Sequence, residues 1–440
     1  MGRSEPSDAL FLVGFFALAI LAGTVALSVP AAWAGPGSLA FIDSFFIATS
    51  AVCVTGLATV DVADFSRYGQ LVVLSLIQVG GLGIISFTSL FLLMPGRRLP
   101  FRRLGSIRSF SLGDVEHDPR RIVRNIVAFT LIIELAGAAA LFAAFSRAGV
   151  ADAAFAAVFH SVSAFCNAGF SPFRDSLEGF SGNPVVLGVI AVLVVAGGIG
   201  FIVIQDLERR FRGKRRALSA HTKLVLSVTA FLVISSGMAF WLIEREGAFA
   251  GMSPLDAAAN AAFQAITPRT AGFDAVPQAG LADASKALTV ALMFIGGAPG
   301  SIAGGIKVST AFLVVLAALG RRNARGEINA FGLRYPAETI DRAVRYFLKA
   351  GLLLVAATAA LGFAEGPRGA GFGSSVFETV SAFGTVGLSL GLTKALGVAG
   401  KLVVMATMFA GRVGLVALAF PARAGRAVYA VYPEAEVLVG

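Results

Sequence analysis

Ser381-Ala-Phe-Gly-Thr-Val-Gly-Leu388 is the fourth appearance of one pattern in this chain. The earlier three are Ser50-Ala-Val-Cys-Val-Thr-Gly-Leu57, Ser163-Ala-Phe-Cys-Asn-Ala-Gly-Phe170 and Ala265-Ile-Thr-Pro-Arg-Thr-Ala-Gly-Phe273. Each is a weakly helical run ending in two small or polar residues, then glycine, then a bulky apolar residue. The aligned glycines, Gly56, Gly169, Gly272 and Gly387, stand 113, 103 and 115 residues apart, which leaves room for one long helix before each segment and one after. A second landmark keeps the register. Gly80-Gly-Leu-Gly83, Gly296-Gly-Ala-Pro-Gly300 and Gly411-Arg-Val-Gly414 each begin 24 residues after their aligned glycine, and Gly197-Gly-Ile-Gly200 begins 28 after its own. Two landmarks repeated four times indicate an internally repeated fold.

The surroundings are apolar. Of 440 residues, 56% are hydrophobic and 14% charged, with a mean hydropathy of +0.81, more apolar surface than a soluble fold of this size buries. Stretches 9–27, 71–94, 185–205, 224–243 and 346–363 approach or exceed the ~18–20 residues that cross a hydrocarbon core as a helix. Stretch 9–27 reads as the first helix of the first repeat rather than a cleaved leader, because it opens that repeat and no convincing A-x-A-like cleavage site follows it.

The net charge of +10 is laid down on one side. Eight arginines fall between 97 and 124, seven Lys and Arg between 209 and 223, six arginines between 321 and 345, and Arg423 and Arg426 in the tail. The positive-inside rule makes those loops and both termini cytoplasmic in a multi-pass plasma-membrane protein. Few aromatics are interleaved with these cations, which argues against nucleic acid.

The expected fold is an all-α membrane protein of four tandem helix–pore-loop–helix repeats around one pseudo-fourfold pore, with eight membrane helices and four half-helices. Its divisions are 1–95, 96–206, 207–320 and 321–440. Non-helical backbone at membrane depth is tolerated only inside protein or along a water-filled cavity, so four such breaks point to one shared pore. A filter of backbone carbonyls replaces a cation's hydration shell, and glycine permits the required backbone without steric cost. The carbonyls would come from Val54 and Thr55, Asn167 and Ala168, Thr270 and Ala271, and Thr385 and Val386, each pair preceding its glycine. Half-helices expected at 39–52, 153–165, 255–266 and 373–383 would turn their partly negative C-terminal ends toward the cation.

Thr267-Pro-Arg-Thr-Ala-Gly-Phe273 and Glu378-Thr-Val-Ser-Ala-Phe-Gly-Thr-Val-Gly-Leu388 resemble the Trk/Ktr/HKT superfamily of K⁺ transporters, most closely its Ktr-type membrane subunit. The likeness runs from Thr49 to the ending Tyr432-Pro-Glu-Ala-Glu-Val-Leu-Val-Gly440. It implies that the four aligned glycines go with K⁺ selectivity, since serine at the first goes with Na⁺ permeation in some plant relatives and here the residue is Gly56. It further implies a homodimer, a separate cytoplasmic ring of nucleotide-binding (RCK/KTN-type) regulatory subunits on the basic inner face, and Na⁺ dependence of K⁺ uptake.

Below the filter, Gly296-Gly-Ala-Pro-Gly-Ser-Ile-Ala-Gly-Gly305 cannot continue a helix at ordinary cost. Gly296, Gly297, Pro299, Gly300, Gly304 and Gly305 are read as a flexible loop in the permeation path, which resembles the family's intramembrane gate. Arg412 in the last membrane helix is expensive there and is expected to seek the loop's carbonyls. Lys307 is read as an interfacial anchor, and Glu134 as an intramembrane acid without an assigned partner. No strand precedes the Gly305-Ile-Lys307 stretch, so it is not a phosphate-binding loop and this chain is expected to bind no nucleotide. His117, His160 and His221 are scattered without companions at metal-ligand spacing, and Cys53 and Cys166 read as unpaired. The alternative reading, a proton- or Na⁺-coupled secondary cation transporter with alternating access, is expected to show inverted repeats and paired midplane acids, whereas these repeats run in parallel and the membrane segments offer Glu134 and few other acids; a membrane-embedded enzyme ranks last, since no nucleophile with a base stands out.

Overall fold

The computed structural model describes residues 8–93, 119–213, 217–320, 322–323, 326–330 and 332–414. Its helices are α1 (Asp8–Leu27), α2 (Phe41–Cys53), α3 (Arg67–Leu93), α4 (Pro119–Arg147), α5 (Ala153–Phe165), α6 (Pro184–Gly198), α7 (Phe201–Phe211), α8 (Ala220–Glu244), α9 (Pro254–Ile266), α10 (Asp283–Phe294), α11 (Val308–Leu319), α12 (Ala337–Glu365), α13 (Phe372–Gly384), α14 (Leu392–Ala395) and α15 (Val398–Phe409). Most of the basic loop before α4, Lys214 to Arg216, Arg321, Arg325 and the tail with Arg423 and Arg426 lie outside the described residues.

Local chemistry sets many of the starts. The Asn183, Ser219 and Ser253 side chains cap α6, α8 and α9 by accepting from the third residue onward, and Pro184 and Pro254 occupy first-turn positions that need no N–H. Among the described residues, five helices, α1, α3, α4, α8 and α12, are long and apolar enough to cross a membrane. Their outer faces carry Phe11, Leu18, Leu135, Phe231, Met238, Leu352 and Val355 in the open, a surface suited to lipid rather than water.

Four of the shorter helices, α2, α5, α9 and α13, are each 13 residues long. They begin and end within two residues of the expected half-helices. Each is packed among neighbouring helices: α2 by α1, α3 and α15, α5 by α4 and α6, α9 by α8 and α6, and α13 by α10, α12 and α15. Their cores bury Phe46, Phe159, Phe263 and Phe377.

Two expectations need correction. Stretch 185–205 is not one straight span: α6 and α7 meet at 102°, because Gly200 takes φ +86° and the Phe201 N–H bonds the Gly300 carbonyl instead of continuing the helix. The third repeat's second helix is interrupted where its glycine run leads one to expect, residues 295–307 separating α10 from α11. The fold is mostly rather than wholly helical, since β1 (Ile328–Ala330) and β2 (Leu333–Tyr335) form an antiparallel hairpin in which Gly332, at φ +71°, supplies the turn.

Candidate functional site

Each of these four 13-residue helices is followed within four residues by backbone that L-residues seldom adopt. Val54, Asn167, Thr270 and Thr385 have φ of 56°, 56°, 76° and 49°, and two residues on Gly56, Gly169, Gly272 and Gly387 have 97°, 68°, 75° and 101°. Three of the four non-glycine positions are β-branched, for which the left-handed region costs ~1–3 kcal/mol and persists only where the surroundings impose it. The imposing contacts are visible. The N–H groups of Thr55, Ala168 and Val386 return to the carbonyls of Ser50, Ser163 and Ser381 at 2.8, 2.7 and 2.9 Å, which closes each helix end on itself. In the third copy Ala271 and Gly272 both return to Thr267, at 2.9 and 3.2 Å. The same four residues use their hydroxyls: Ser50 and Ser381 accept from Gly56 and Gly387 N–H at 3.1 Å, while Ser163 and Thr267 donate to the Phe170 and Phe273 carbonyls at 2.7 Å.

The four turns meet. A Cβ placed on Gly56 would stand 2.5 Å from the Ala168 carbonyl oxygen and 3.3 Å from Gly169 Cα; one on Gly169 would stand 2.7 Å from the Ala271 oxygen and 3.0 Å from Gly272 Cα. On Gly272 it would overlap the Val386 oxygen and lie 3.0 Å from Gly387 Cα, and on Gly387 it would overlap the Thr55 oxygen and lie 3.0 Å from Gly56 Cα. The contacts run from the first glycine to the second, third and fourth and back to the first, so the segments close a ring. Asn167 and Thr270 also touch side chain to side chain at 3.3 Å. The bulky residues that follow the glycines, Leu57, Phe170, Phe273 and Leu388, are buried and anchor each turn from behind.

The glycine clusters hold the ring from outside. A Cβ on Gly80, Gly197 or Gly411 would overlap the carbonyl of Val52, Phe165 or Phe383, each four residues before its ring glycine. Gly296 faces the Gly304 carbonyl instead, so the third copy departs here.

Beneath the ring, the stretch 295–307 is mostly buried and bonded to its neighbours. Gly296 N–H bonds Ile306 O at 2.8 Å, Val308 N–H bonds Gly297 O at 3.0 Å, and Ala298 N–H bonds Gly198 O at 2.9 Å in the α6–α7 break. A Cβ on Gly200 would stand 2.8 Å from Pro299 O. Gly300 and Gly305 turn through φ of 73° and 62°, and Gly304 lies against Thr385 and Gly384 at the foot of the ring. Arg412, buried in a π-helical turn at Ala410–Gly414, donates to the Ile302 carbonyl and, at 3.4 Å, to Gly80 O. Lys307 is no interfacial anchor, because its ammonium folds back onto the Ala303 carbonyl.

Glu134 acquires the partners that sequence did not supply. Gln78 donates to its carboxylate at 2.9 Å, and the Cys166 thiol faces both Gln78 (3.4 Å) and Glu134 (3.9 Å). At the other end of the ring, Asp274 is two residues past Gly272. Burial first, with Glu178 and Glu378 adding and Gln278 opposing, pushes its carboxyl up to about 8. Among the described residues, no cluster of three or more His, Cys, Asp or Glu could hold a metal ion.

The sequence model of a family described as TrkH, cation transport protein, matches residues 20–424. The chain belongs to that family. Its relatives include the potassium/sodium uptake protein NtpJ of Enterococcus hirae, 35% identical over 98% of this chain and 96% of that one. The Ktr system potassium uptake protein B of Bacillus subtilis is 34% identical over 100% of this chain and 97% of that one. Among solved structures, the potassium transporter TrkH of Vibrio parahaemolyticus superposes with a TM-score of 0.75 at 20% identity, covering 94% of this chain and 85% of that one. A TrkH-family chain with five long apolar helices is an integral membrane protein.

Proposed function

We propose that this TrkH-family protein is the ion-translocating subunit of a K⁺ uptake system. Four helix–pore-loop–helix repeats, divided as 1–95, 96–206, 207–320 and 321–440, surround one pore with eight membrane helices. The observation that carries the reading is the closed ring of Gly56, Gly169, Gly272 and Gly387. In that ring a dehydrated K⁺ would be held by the carbonyls of Val54, Thr55, Asn167, Ala168, Thr270, Ala271, Thr385 and Val386. Support also comes from two relatives named for potassium uptake, one of them for sodium as well, which makes Na⁺ dependence part of the proposal.

The loop of Gly296, Gly297, Pro299, Gly300, Gly304 and Gly305 closes the path below the ring, and Arg412 holds it there through Ile302. We place the protein in the plasma membrane with cytoplasmic termini, as a homodimer. Its nucleotide control is exerted by a separate regulatory ring on the basic face, with no nucleotide bound by this chain itself.

The test is K⁺ uptake in a bacterium stripped of its own uptake systems, comparing the native chain with Gly56→Ser and Gly387→Ser. Both variants are expected to lose preference for K⁺ over Na⁺ by at least ~10-fold, since a Cβ at either site pushes into a neighbouring turn. Unchanged preference at native expression would refute the filter assignment.

A further inference from the structure

The outer end of the ring has less symmetry than its glycines. One residue on each short helix faces the strand that leaves the ring, and its identity differs from copy to copy. His160 on α5 and Glu378 on α13 both stand nine residues before their glycine, and both reach the serine two residues after it. His160 Nε2 lies 3.0 Å from the Ser171 hydroxyl, and its Nδ1 lies 2.8 Å from the Ala156 carbonyl. A carbonyl only accepts, so in the neutral ring Nδ1 carries the proton and Nε2 accepts from Ser171. Glu378 Oε1 accepts from the Ser389 hydroxyl and, at 2.9 Å, from the Thr393 N–H. Each serine then turns its own strand in the same way, accepting from the N–H two residues on: Phe173 to Ser171 at 3.0 Å and Gly391 to Ser389 at 2.9 Å. His160 and Glu378 are both fully buried.

The other two copies do without this pair. In the third, Gln264 exchanges hydrogen bonds with Gln278 at 2.9 and 3.2 Å, and Asp274 takes the serine's place. In the first, Ile47 and Ala58 occupy the two positions and cannot bond at all. Since the ring runs first, second, third, fourth, the two serine braces lie diagonally across it.

We propose that His160 and Glu378 are positioning residues for selectivity: acting through Ser171 and Ser389, they set the exit strands of the second and fourth segments and with them the width of the ring's outer end. The proposal rests on the filter reading above. A carbonyl cage discriminates K⁺ from Na⁺ by where its oxygens are held, so loosening two opposite strands lets the cage close on the smaller ion. A brace that served folding alone would change how much protein reaches the membrane and leave the preference intact.

The experiment measures K⁺ uptake and its competition by Na⁺ in the same stripped host, normalised to membrane-inserted protein, for Glu378→Ala, Glu378→Gln, Ser389→Ala, their double Ala variant, and Gly387→Ser. Glu378→Ala and Ser389→Ala are each expected to lower the K⁺ preference about tenfold, as for one lost buried bond to a carboxylate. The double variant should be no worse than either single one, and Glu378→Gln, which keeps an accepting oxygen, should restore the preference. If Glu378→Ala fails to insert, Ser389→Ala carries the measurement, because it removes one hydroxyl at a half-buried site. Native preference in the Ala variants beside a shifted Gly387→Ser overturns the brace and leaves the filter standing. Native preference in Gly387→Ser as well overturns both.

Discussion

The ring and the layer directly beneath it obey different rules. In the ring, four segments separated by more than 100 residues repeat one backbone: a left-handed residue, one residue between, a left-handed glycine, then a buried apolar anchor. One layer lower, near-equivalence is gone. Gly80, Gly197 and Gly411 press on short-helix ends, whereas Gly296 opens a loop that only the third copy possesses, and only the fourth copy sends an arginine to meet it. The proposed function accounts for the difference: a bare ion needs oxygens on every side, which constrains all four copies together, whereas one copy suffices to obstruct a path below.

Breaking the ring at its tightest point tests the first half of this contrast. Gly272→Ala puts a Cβ into the Val386 carbonyl and onto positive φ, and uptake per inserted molecule should fall by about a hundredfold or more. A change under about threefold in radiotracer uptake would mean that the four turns are not under common constraint.

Deleting residues 298–303 tests the second half, since one obstruction can be removed without touching the ring. Flux should rise severalfold, on the order of 3- to 10-fold, with K⁺ preference kept. Abolished flux in well-folded protein would show the loop to be part of the conducting wall.

How much of this is legible in the sequence depends on the range of the interaction. The ends of α2, α5, α9 and α13 can be read to within two residues because the signal is local: a helical run, a small step, glycine, an anchor. The Gln78–Glu134 bond joins residues 56 apart, and Arg412 meets Ile302 across 110, so neither leaves a local period to read. The bend at Gly200 is hidden for a similar reason. Stretch 185–205 is uniformly apolar, and what breaks it is a carbonyl at Gly300, on another repeat. The serine and threonine at the short-helix ends were in plain view in the repeat. Their spacing to the glycine slips by one in the third copy, where Thr267 stands five residues ahead rather than six, and the bonds that give them a role appear only in three dimensions.

The smallest effect probes the outer end. Asp274 has its carboxyl raised to about 8, chiefly by burial, so it is neutral below that pH and negative above it. A negative charge beside the ring attracts cations. The apparent KM for K⁺ should therefore fall by about two- to threefold as external pH rises from about 7 to about 9, consistent with a single charge some ~10 Å away in a partly aqueous setting. Asp274→Asn should flatten that dependence, and a persistent slope in the Asn variant would assign it elsewhere.

The single hydrogen bond from Phe201 to Gly300 has a mechanical consequence. α7 starts on the very peptide it leans against, so a displacement of α7 loads its bond to Gly300 and, through that bond, the loop proposed to close the path.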